Sequence, residues 1–103
     1  MADVLNYTSE DMKFENLSKN HLVLVDFWAA WCGPCRMLAP AVTRLAEDHP
    51  EIKVCKVNID EQPDLAAYFE VAAVPTLFLF RGGDAVKKTM GYMPYSELEA
   101  FVG

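Results

Sequence analysis

Apolar positions along the chain recur with two different periods. Residues 22–28 form an almost continuous apolar run of strand length, which is typical of a strand covered on both faces. From residue 34 to residue 48, apolar residues return at helical spacing, which predicts an amphipathic helix. The pattern therefore predicts a strand at the centre of a sheet, followed directly by a long helix.

Shorter segments of the same two kinds occupy the rest of the chain. The predicted strands cover 4–7, 52–59, 76–80 and 85–90, and the predicted helices cover 9–17, 60–70 and 96–102. Ser9 is the expected cap of the first helix, and the acid Asp60 is expected to cap the third. Helices between the early strands imply parallel crossovers, and turn residues at 81–84 predict a closing antiparallel hairpin. The predicted fold class is α/β, a three-layer α/β/α sandwich with a mixed central sheet.

Chain length and composition limit the number of domains and the kinds of partner. The 103 residues, of which 52% are hydrophobic, suffice for one domain over 1–103 with a sizeable core. A formal net charge of -6 argues against nucleic acid or an anionic membrane surface as a partner. No apolar run approaches the length of a membrane span. A monomer is the default expectation.

The cysteine count and the first residues of the chain bear on its compartment. Three cysteines are too few, and odd in number, for the disulfide framework of a secreted mini-protein. The N-terminus has no basic region followed by a long apolar stretch, so no secretory signal is recognised. A cytoplasmic location is therefore expected.

Residues 31–35, Trp-Cys-Gly-Pro-Cys, carry the candidate chemistry. They follow a predicted strand and open a predicted helix, and a first helical turn can bridge two cysteines at this spacing. Cys32 lies at the helix N-terminus, where free N–H groups and the helix dipole favour thiolate, so it is the expected nucleophile. Cys35 is one turn inside and more buried, as suits the resolving thiol. Gly33 permits close approach of a substrate backbone, and Pro34 suits the first helical turn.

A zinc site is the alternative use of a Cys-X-X-Cys pair. The further ligands would have to come from Cys55, His21 or His49, which are scattered at no ligand spacing. No metal is therefore expected. Cys55 is most simply a small buried hydrophobe on its strand.

The chain resembles the thioredoxin family over essentially its whole length. The residues that carry the resemblance are 26–36, Pro40, 56–60, 74–76, Gly83 and Gly91. The resemblance implies the thioredoxin fold. It also implies that electrons arrive from NADPH through thioredoxin reductase, a flavoprotein, while the chain itself binds neither cofactor.

Asp26 and Lys56 match a buried aspartate and a lysine of this family. Asp26 shares strand parity with Leu24 and Trp28, so burial should raise the pKa of its carboxyl and let it accept a proton from Cys35, directly or through a water. A purely structural core acid is the alternative. By its parity, Lys56 could point its ammonium toward Asp26, whereas the alternative is an ordinary exposed strand lysine.

The segment around Pro75 is the expected substrate groove. In the family, the matching proline follows a cis peptide bond that faces the active disulfide, which would leave the Val74 backbone free to pair with an extended substrate. Gly91 and Tyr92 would complete a shallow groove beside Trp31. Gly91 is also open to interpretation as a bulge glycine.

Two positions depart from the family pattern. Tyr92 stands where the family usually has a small residue, which bears on the range of substrates. Arg36 replaces the commoner lysine, which keeps the charge but changes its shape and hydrogen bonding. An effect of Arg36 on partner docking is expected.

The predicted function is a protein-disulfide reductase that works through a mixed-disulfide intermediate, with disulfide-containing proteins as substrates. A thiol oxidant or isomerase of the same fold is one alternative, but the Gly33-Pro34 dipeptide favours a reductant by family resemblance. A binding module without redox function is the other alternative. The intact cysteine pair and Asp26 count against a purely structural role.

Overall fold

The strands and helices alternate in the predicted order. The computed structural model describes residues 4–103. Its strands are β1 (Leu5–Asn6), β2 (Leu22–Trp28), β3 (Ile52–Asn58), β4 (Thr76–Arg81) and β5 (Asp84–Met90). Its helices are α1 (Phe14–Leu17), α2 (Gly33–Asp48), α3 (Pro63–Tyr68) and α4 (Tyr95–Val102). The central apolar run and the long helix after it are thus confirmed.

The five strands form one mixed sheet in the order β1-β3-β2-β4-β5. β2 lies at the centre, pairing in parallel with β3 and antiparallel with β4. β1 extends the parallel side, and β5 forms the antiparallel hairpin with β4. The mixed sheet predicted from the order of elements is confirmed.

Each face of the sheet carries its own apolar core, because successive strand residues point to opposite sides. On one face, Leu24 and Leu79 pack with Leu38 of α2 and Leu98 of α4. The core on the other face contains Val25, Phe27 and Phe78 from the sheet, Leu17 from α1 and Leu65 from α3. Helices on both sides of one sheet give the predicted three layers.

The first helix begins later than predicted. α1 starts at Phe14, and Ser9 does not cap it, since the Ser9 hydroxyl donates to Gln62 Oε1 instead. The Asp11 carboxylate accepts both the N–H and the hydroxyl of Thr8, which holds residues 8–11 in a turn. The edge strand predicted over 4–7 is also shorter, at Leu5–Asn6.

The third helix also begins later than predicted. α3 starts at Pro63, which suits a first helical position because it has no N–H to satisfy. Asn58 Oδ1 accepts the N–H groups of Asp60 and Glu61, so these residues form a turn before the helix. The expectation that Asp60 caps α3 is therefore wrong. Within residues 4–103, no helix combines the length and the apolar character needed to cross a bilayer.

Candidate active site: the Cys32–Cys35 disulfide and its surroundings

Cys32 and Cys35 form a disulfide where β2 leads into α2, with their Cα atoms 5.3 Å apart. Cys32 is the N-cap of α2, and its Sγ accepts the N–H of Cys35 at 3.2 Å. Free N–H groups at the start of a helix stabilise negative charge, so this position favours a thiolate on Cys32 in the reduced pair. Both residues are only 4% exposed. The expectation that Cys35 is the more buried of the two is wrong. Both cysteines belong to one buried cluster, and Val74 and Trp28 pack against it.

The residues between the two cysteines leave open space at the surface. Pro34 is exposed and occupies the first turn of α2, as predicted. A Cβ added to Gly33 would meet no atom of residues 4–103 within 4 Å. The space beside Gly33 is therefore available to the backbone of a bound protein.

Trp31 lies at the rim of the disulfide and is 66% exposed. Its indole Nε1–H donates to Asp60 Oδ2 at 2.9 Å. Asp60 is thus a site residue, a role that sequence reasoning did not assign to it, since it expected Asp60 to cap a helix. The available signal was its position just after β3, since the parallel pairing of β3 with β2 brings both strand ends to the same edge of the sheet.

Val74 and Pro75 lie on the other side of Cys32. The peptide bond between them is cis, as the resemblance implies, and the Val74 carbonyl oxygen lies 3.5 Å from Cys32 Sγ. The Gly91 N–H donates to the Pro75 carbonyl at 2.9 Å. The structure therefore brings Val74, Pro75 and Gly91 together beside Cys32. Tyr92, which follows Gly91, is 48% exposed.

Gly91 follows the last strand rather than interrupting it. Its φ of 89° lies in the left-handed region, which favours glycine over residues with a side chain. The register shift in the β4–β5 hairpin falls between Leu79 and Phe80. The bulge interpretation of Gly91 is therefore wrong, and a backbone turn beside Pro75 explains the glycine.

Asp26 is a buried acid in the middle of β2, only 1% exposed. Burial raises the pKa of its carboxyl to about 7, and the positive charge of Lys56 opposes the rise. Within the described residues, Asp26 Oδ1 has no hydrogen-bond partner. A carboxyl with this pKa exchanges protons readily near neutral pH.

Lys56 lies directly opposite Asp26 in the β2–β3 register. It is half-buried, so it is not the ordinary exposed strand lysine. Its Nζ lies 4.2 Å from the centre of the Trp28 ring, and the ion pairs formed within residues 4–103 do not include one between Lys56 and Asp26. The ammonium is thus near Asp26 but rests on an aromatic face, an arrangement that strand parity did not reveal.

Arg36 is tied to the segment that carries the motif. Its Nη1 donates to the Ala30 carbonyl at 2.8 Å, and its backbone N–H donates to the Cys32 carbonyl at 3.2 Å. In the same turn, the Cys32 N–H donates to the Ala29 carbonyl. Sequence reasoning assigned Arg36 to partner docking and missed this contact within the chain.

The third cysteine and the histidines lie away from this site. Cys55 is a free, fully buried thiol, and burial raises its pKa to about 12. His49 bonds Glu99 Oε2 through Nε2 at 2.8 Å. In the part of the chain that the structure describes, no group of three or more His, Cys, Asp or Glu side chains could hold a metal ion.

These features together define a class of protein. A reversible cysteine pair at a helix N-terminus, beside a buried acid and on a mixed sheet with helices on both faces, is the site of a thiol–disulfide oxidoreductase.

Comparison with known proteins narrows the class to a family. The family model described as Thioredoxin matches residues 4–103. Thioredoxin from Alicyclobacillus acidocaldarius subsp. acidocaldarius is 53% identical over 79 residues, which are 76% of this chain and 75% of that protein. Thioredoxin 1 from Nostoc sp. is 43% identical over 99 residues, which are 95% of this chain and 92% of that protein.

A solved structure gives the same result. The crystal structure of mitochondrial thioredoxin 3 from Saccharomyces cerevisiae, in its oxidised form, matches with a TM-score of 0.85 and 32% identity, covering 95% of this chain and 92% of that one. The chain belongs to the thioredoxin family. The resemblance, the fold and the predicted oxidoreductase activity are thereby confirmed, and the chain is a protein-disulfide reductase with Cys32 and Cys35 as its redox-active pair. Proteins of this family act on disulfide substrates and typically hold no bound cofactor.

Proposed function

We propose that Cys32 and Cys35 act in a fixed order. The Cys32 thiolate attacks one sulfur of the substrate disulfide, that S–S bond breaks, and one substrate cysteine leaves as thiolate while a mixed disulfide forms. Cys35 then attacks Cys32 Sγ, releasing the second substrate thiol and leaving the Cys32–Cys35 disulfide. Two electrons pass to the substrate. The bond from the Cys35 N–H to Cys32 Sγ carries this assignment, because it identifies Cys32 as the sulfur stabilised by the helix N-terminus.

Asp26 is the proton acceptor in this proposal. Cys35 must lose its proton before it can attack, and a neutral thiol is a poor nucleophile. A pKa of about 7 lets the Asp26 carboxylate take that proton near neutral pH, while the Lys56 charge keeps part of the Asp26 population ionised. Strand pairing of Asp26 with Lys56 supports a joint role for the two residues.

The rim of the disulfide is the proposed docking groove for an extended, cysteine-bearing segment. Val74 lies shortly before the start of β4, and its carbonyl oxygen is 3.5 Å from Cys32 Sγ. The open space at Gly33 admits a partner's main chain. The proposed remainder of the groove consists of Trp31, Pro34, Pro75, Gly91 and Tyr92.

The finished reaction leaves the chain oxidised, so an electron donor is required. We assign this role to thioredoxin reductase, a flavoprotein that draws on NADPH, as the family resemblance implies. A dithiol reductant that is regenerated in this way fits a reducing compartment, which supports the cytoplasm as the location. In this role the chain acts as a monomer with one domain over residues 1–103, and neither nucleic acid nor a membrane is a partner.

The proposed order is tested with single cysteine variants of the full chain. Cys35→Ser should accumulate a mixed disulfide with a disulfide-containing protein, whereas Cys32→Ser should form none. Catalysed reduction with NADPH and thioredoxin reductase should require both cysteines. Trapping by Cys32→Ser instead would reverse the two roles.

The direction of the reaction is tested by the reduction potential of the pair. A potential well below that of cytosolic glutathione is expected for a reductant. A higher potential would make the chain an oxidant or isomerase, and an absent two-electron transition would leave the binding module as the better account.

A further inference from the structure

Trp28 contacts both the cysteine pair and the Lys56 ammonium. It follows Asp26 by two residues on β2, so the two side chains share a face of the sheet. One part of Trp28 packs against the cluster that contains Cys32 and Cys35. The centre of its ring lies 4.2 Å from Lys56 Nζ, although Lys56 is paired in register with Asp26. The ammonium therefore has two neighbours that can hold it.

We propose that Trp28 is a positioning residue for Lys56: its indole face holds the ammonium while Asp26 is protonated, and the ammonium moves toward Asp26 when that carboxyl ionises. The proposal rests on the assignment of Asp26 as proton acceptor. It adds that the Lys56 ammonium lies on the Trp28 ring while Asp26 is neutral. The structure, which contains the disulfide, has the ammonium on the ring.

The two positions differ in what attracts a cation. An aromatic face attracts an ammonium through its quadrupole, independently of pH, and the attraction grows when water is excluded. A carboxylate attracts it more strongly, but only while the carboxyl is ionised. Protonation of Asp26 removes that attraction and leaves the ring as the better position.

Lys56 is the charged group that acts on Asp26 from the neighbouring elements. It faces Asp26 from β3, while β4 places the apolar Leu77 opposite Asp26 on its other side. α2 and α4 cover this face, and they contribute Cys35, held in the disulfide, and the apolar Leu98. The balance between the two positions of the ammonium is therefore governed by the Asp26 carboxyl.

The movement accompanies proton transfer without any bond to Trp28. The Cys35 thiol loses its proton to the Asp26 carboxylate, and the Cys35 sulfur then attacks Cys32 Sγ, which displaces the substrate sulfur and forms the Cys32–Cys35 disulfide. Asp26 becomes neutral, so the ammonium is released toward the ring. When the pair is reduced again and Asp26 loses the proton, the ammonium returns to the carboxylate.

The wild-type chain itself provides the first test, through the nuclear magnetic resonance of the Lys56 ε-methylene. A group held over an indole face resonates upfield because of the ring current. In the oxidised protein, this signal should lie upfield at low pH and move downfield as pH rises through the titration of Asp26. In Asp26→Asn it should stay upfield throughout. A wild-type signal that does not move, or one that moves equally in Asp26→Asn, would overturn the proposal.

A double-mutant cycle separates positioning from simple exclusion of water. The pKa of Asp26 is measured by carboxyl ¹³C titration in the wild type, Trp28→Leu, Lys56→Met and the double variant. Trp28→Leu should lower this pKa by about half a pH unit, because the ring stabilises only the state with protonated Asp26. In the Lys56→Met background the same change should have no effect. An equal effect in both backgrounds would mean that the ring only keeps water out.

Two more variants keep the result interpretable. Trp28→Phe retains an aromatic face and should lower the pKa of Asp26 less than Trp28→Leu does, which covers the case that the leucine variant does not fold. Trp31→Leu removes the other tryptophan, whose indole bonds Asp60 instead, and should leave the pKa of Asp26 unchanged. Failure of the proposed function is a separate result: the wild type would not reduce a protein disulfide. Failure of this inference would leave the wild type active with no coupling between Trp28 and Lys56.

Discussion

The indole N–H of Trp31 and the carboxylate of Asp60 form a 2.9 Å hydrogen bond across the rim of the disulfide. Trp31 belongs to the loop before α2, whereas Asp60 follows β3, so the bond joins two segments that meet only in the folded sheet. An exposed aromatic ring would otherwise rotate freely, and this bond fixes it beside Cys32.

Asp60→Asn should therefore weaken substrate binding more than chemistry. Loss of a charged acceptor at an exposed site costs about 1 kcal/mol, which corresponds to a roughly five-fold loss in kcat/KM, expected mainly as a higher KM. The measurement is steady-state reduction of a protein disulfide, together with the fluorescence anisotropy of Trp31. Asp64→Asn is the matched control, because Asp64 is an exposed acid in the first turn of α3. Equal kinetics for the two variants would show that Trp31 does not need Asp60.

Sequence periodicity predicts the sheet well because burial acts on whole segments. The run at 22–28 is apolar on both faces since α2 and α4 cover one side of β2 while α1 and α3 cover the other. The same reasoning predicts that Asp26 is buried, because helices cover both faces of the strand in which it lies.

Details that depend on one side chain were not predictable in this way. Strand parity indicates the face on which Lys56 lies, but not whether its long side chain ends at Asp26 or on Trp28. The start of α3 depends on Asn58, whose side-chain oxygen accepts the N–H groups of Asp60 and Glu61 in a turn before the helix, and a capping rule alone does not reveal this. The burial of Cys32 comes from Val74, 42 residues further along the chain.

Arg36 is expected to hold the turn that leads into the cysteine motif. Arg36→Met removes the bond from its guanidinium to the Ala30 carbonyl but keeps an apolar stem of similar length. The Cys32 N–H, which is bonded within that turn, should then exchange with solvent several-fold faster, since a lost hydrogen bond of this kind corresponds to about 0.5–1.5 kcal/mol. Amide hydrogen exchange of the oxidised protein measures this. Arg44→Met, on the far part of the same helix, should leave that amide unaffected.

Lys87 should stabilise the end of the C-terminal helix. Its Nζ donates to the carbonyl oxygens of Phe101 at 3.0 Å and of Gly103 at 3.1 Å, which are among the unpaired carbonyls at the end of α4. Lys87→Met should lower the free energy of unfolding by about 0.5–1 kcal/mol and loosen α4 in hydrogen exchange. Lys88→Met is the control, because Lys88 lies near the Phe78 ring on the opposite face of the sheet. Equal losses for the two variants would contradict a specific role of Lys87 at the helix end.

Asp26 should make the fold less stable as the pH rises. Its pKa is about 7 in the folded protein against 3.8 for an unperturbed aspartate, because burial disfavours the charged form. The folded state therefore binds the proton more tightly than the unfolded state, so stability is full below pH 3.8 and falls until the pH passes about 7. Above that pH the buried charge costs on the order of 4 kcal/mol, which is the free-energy equivalent of the difference between the two pKa values.

Asp26→Asn removes this penalty, because the amide has nearly the same shape and stays neutral. The variant should gain stability over the wild type at pH 8 and show little gain at pH 4, where the wild-type carboxyl is protonated in the folded state. Urea unfolding of the two oxidised proteins at both pH values measures the difference. Asp64→Asn, with an exposed carboxyl, should change little at either pH. A gain for Asp26→Asn of the same size at pH 4 and pH 8 would show that the effect of residue 26 is packing rather than charge, and would remove the support for Asp26 as a group that titrates near neutral pH.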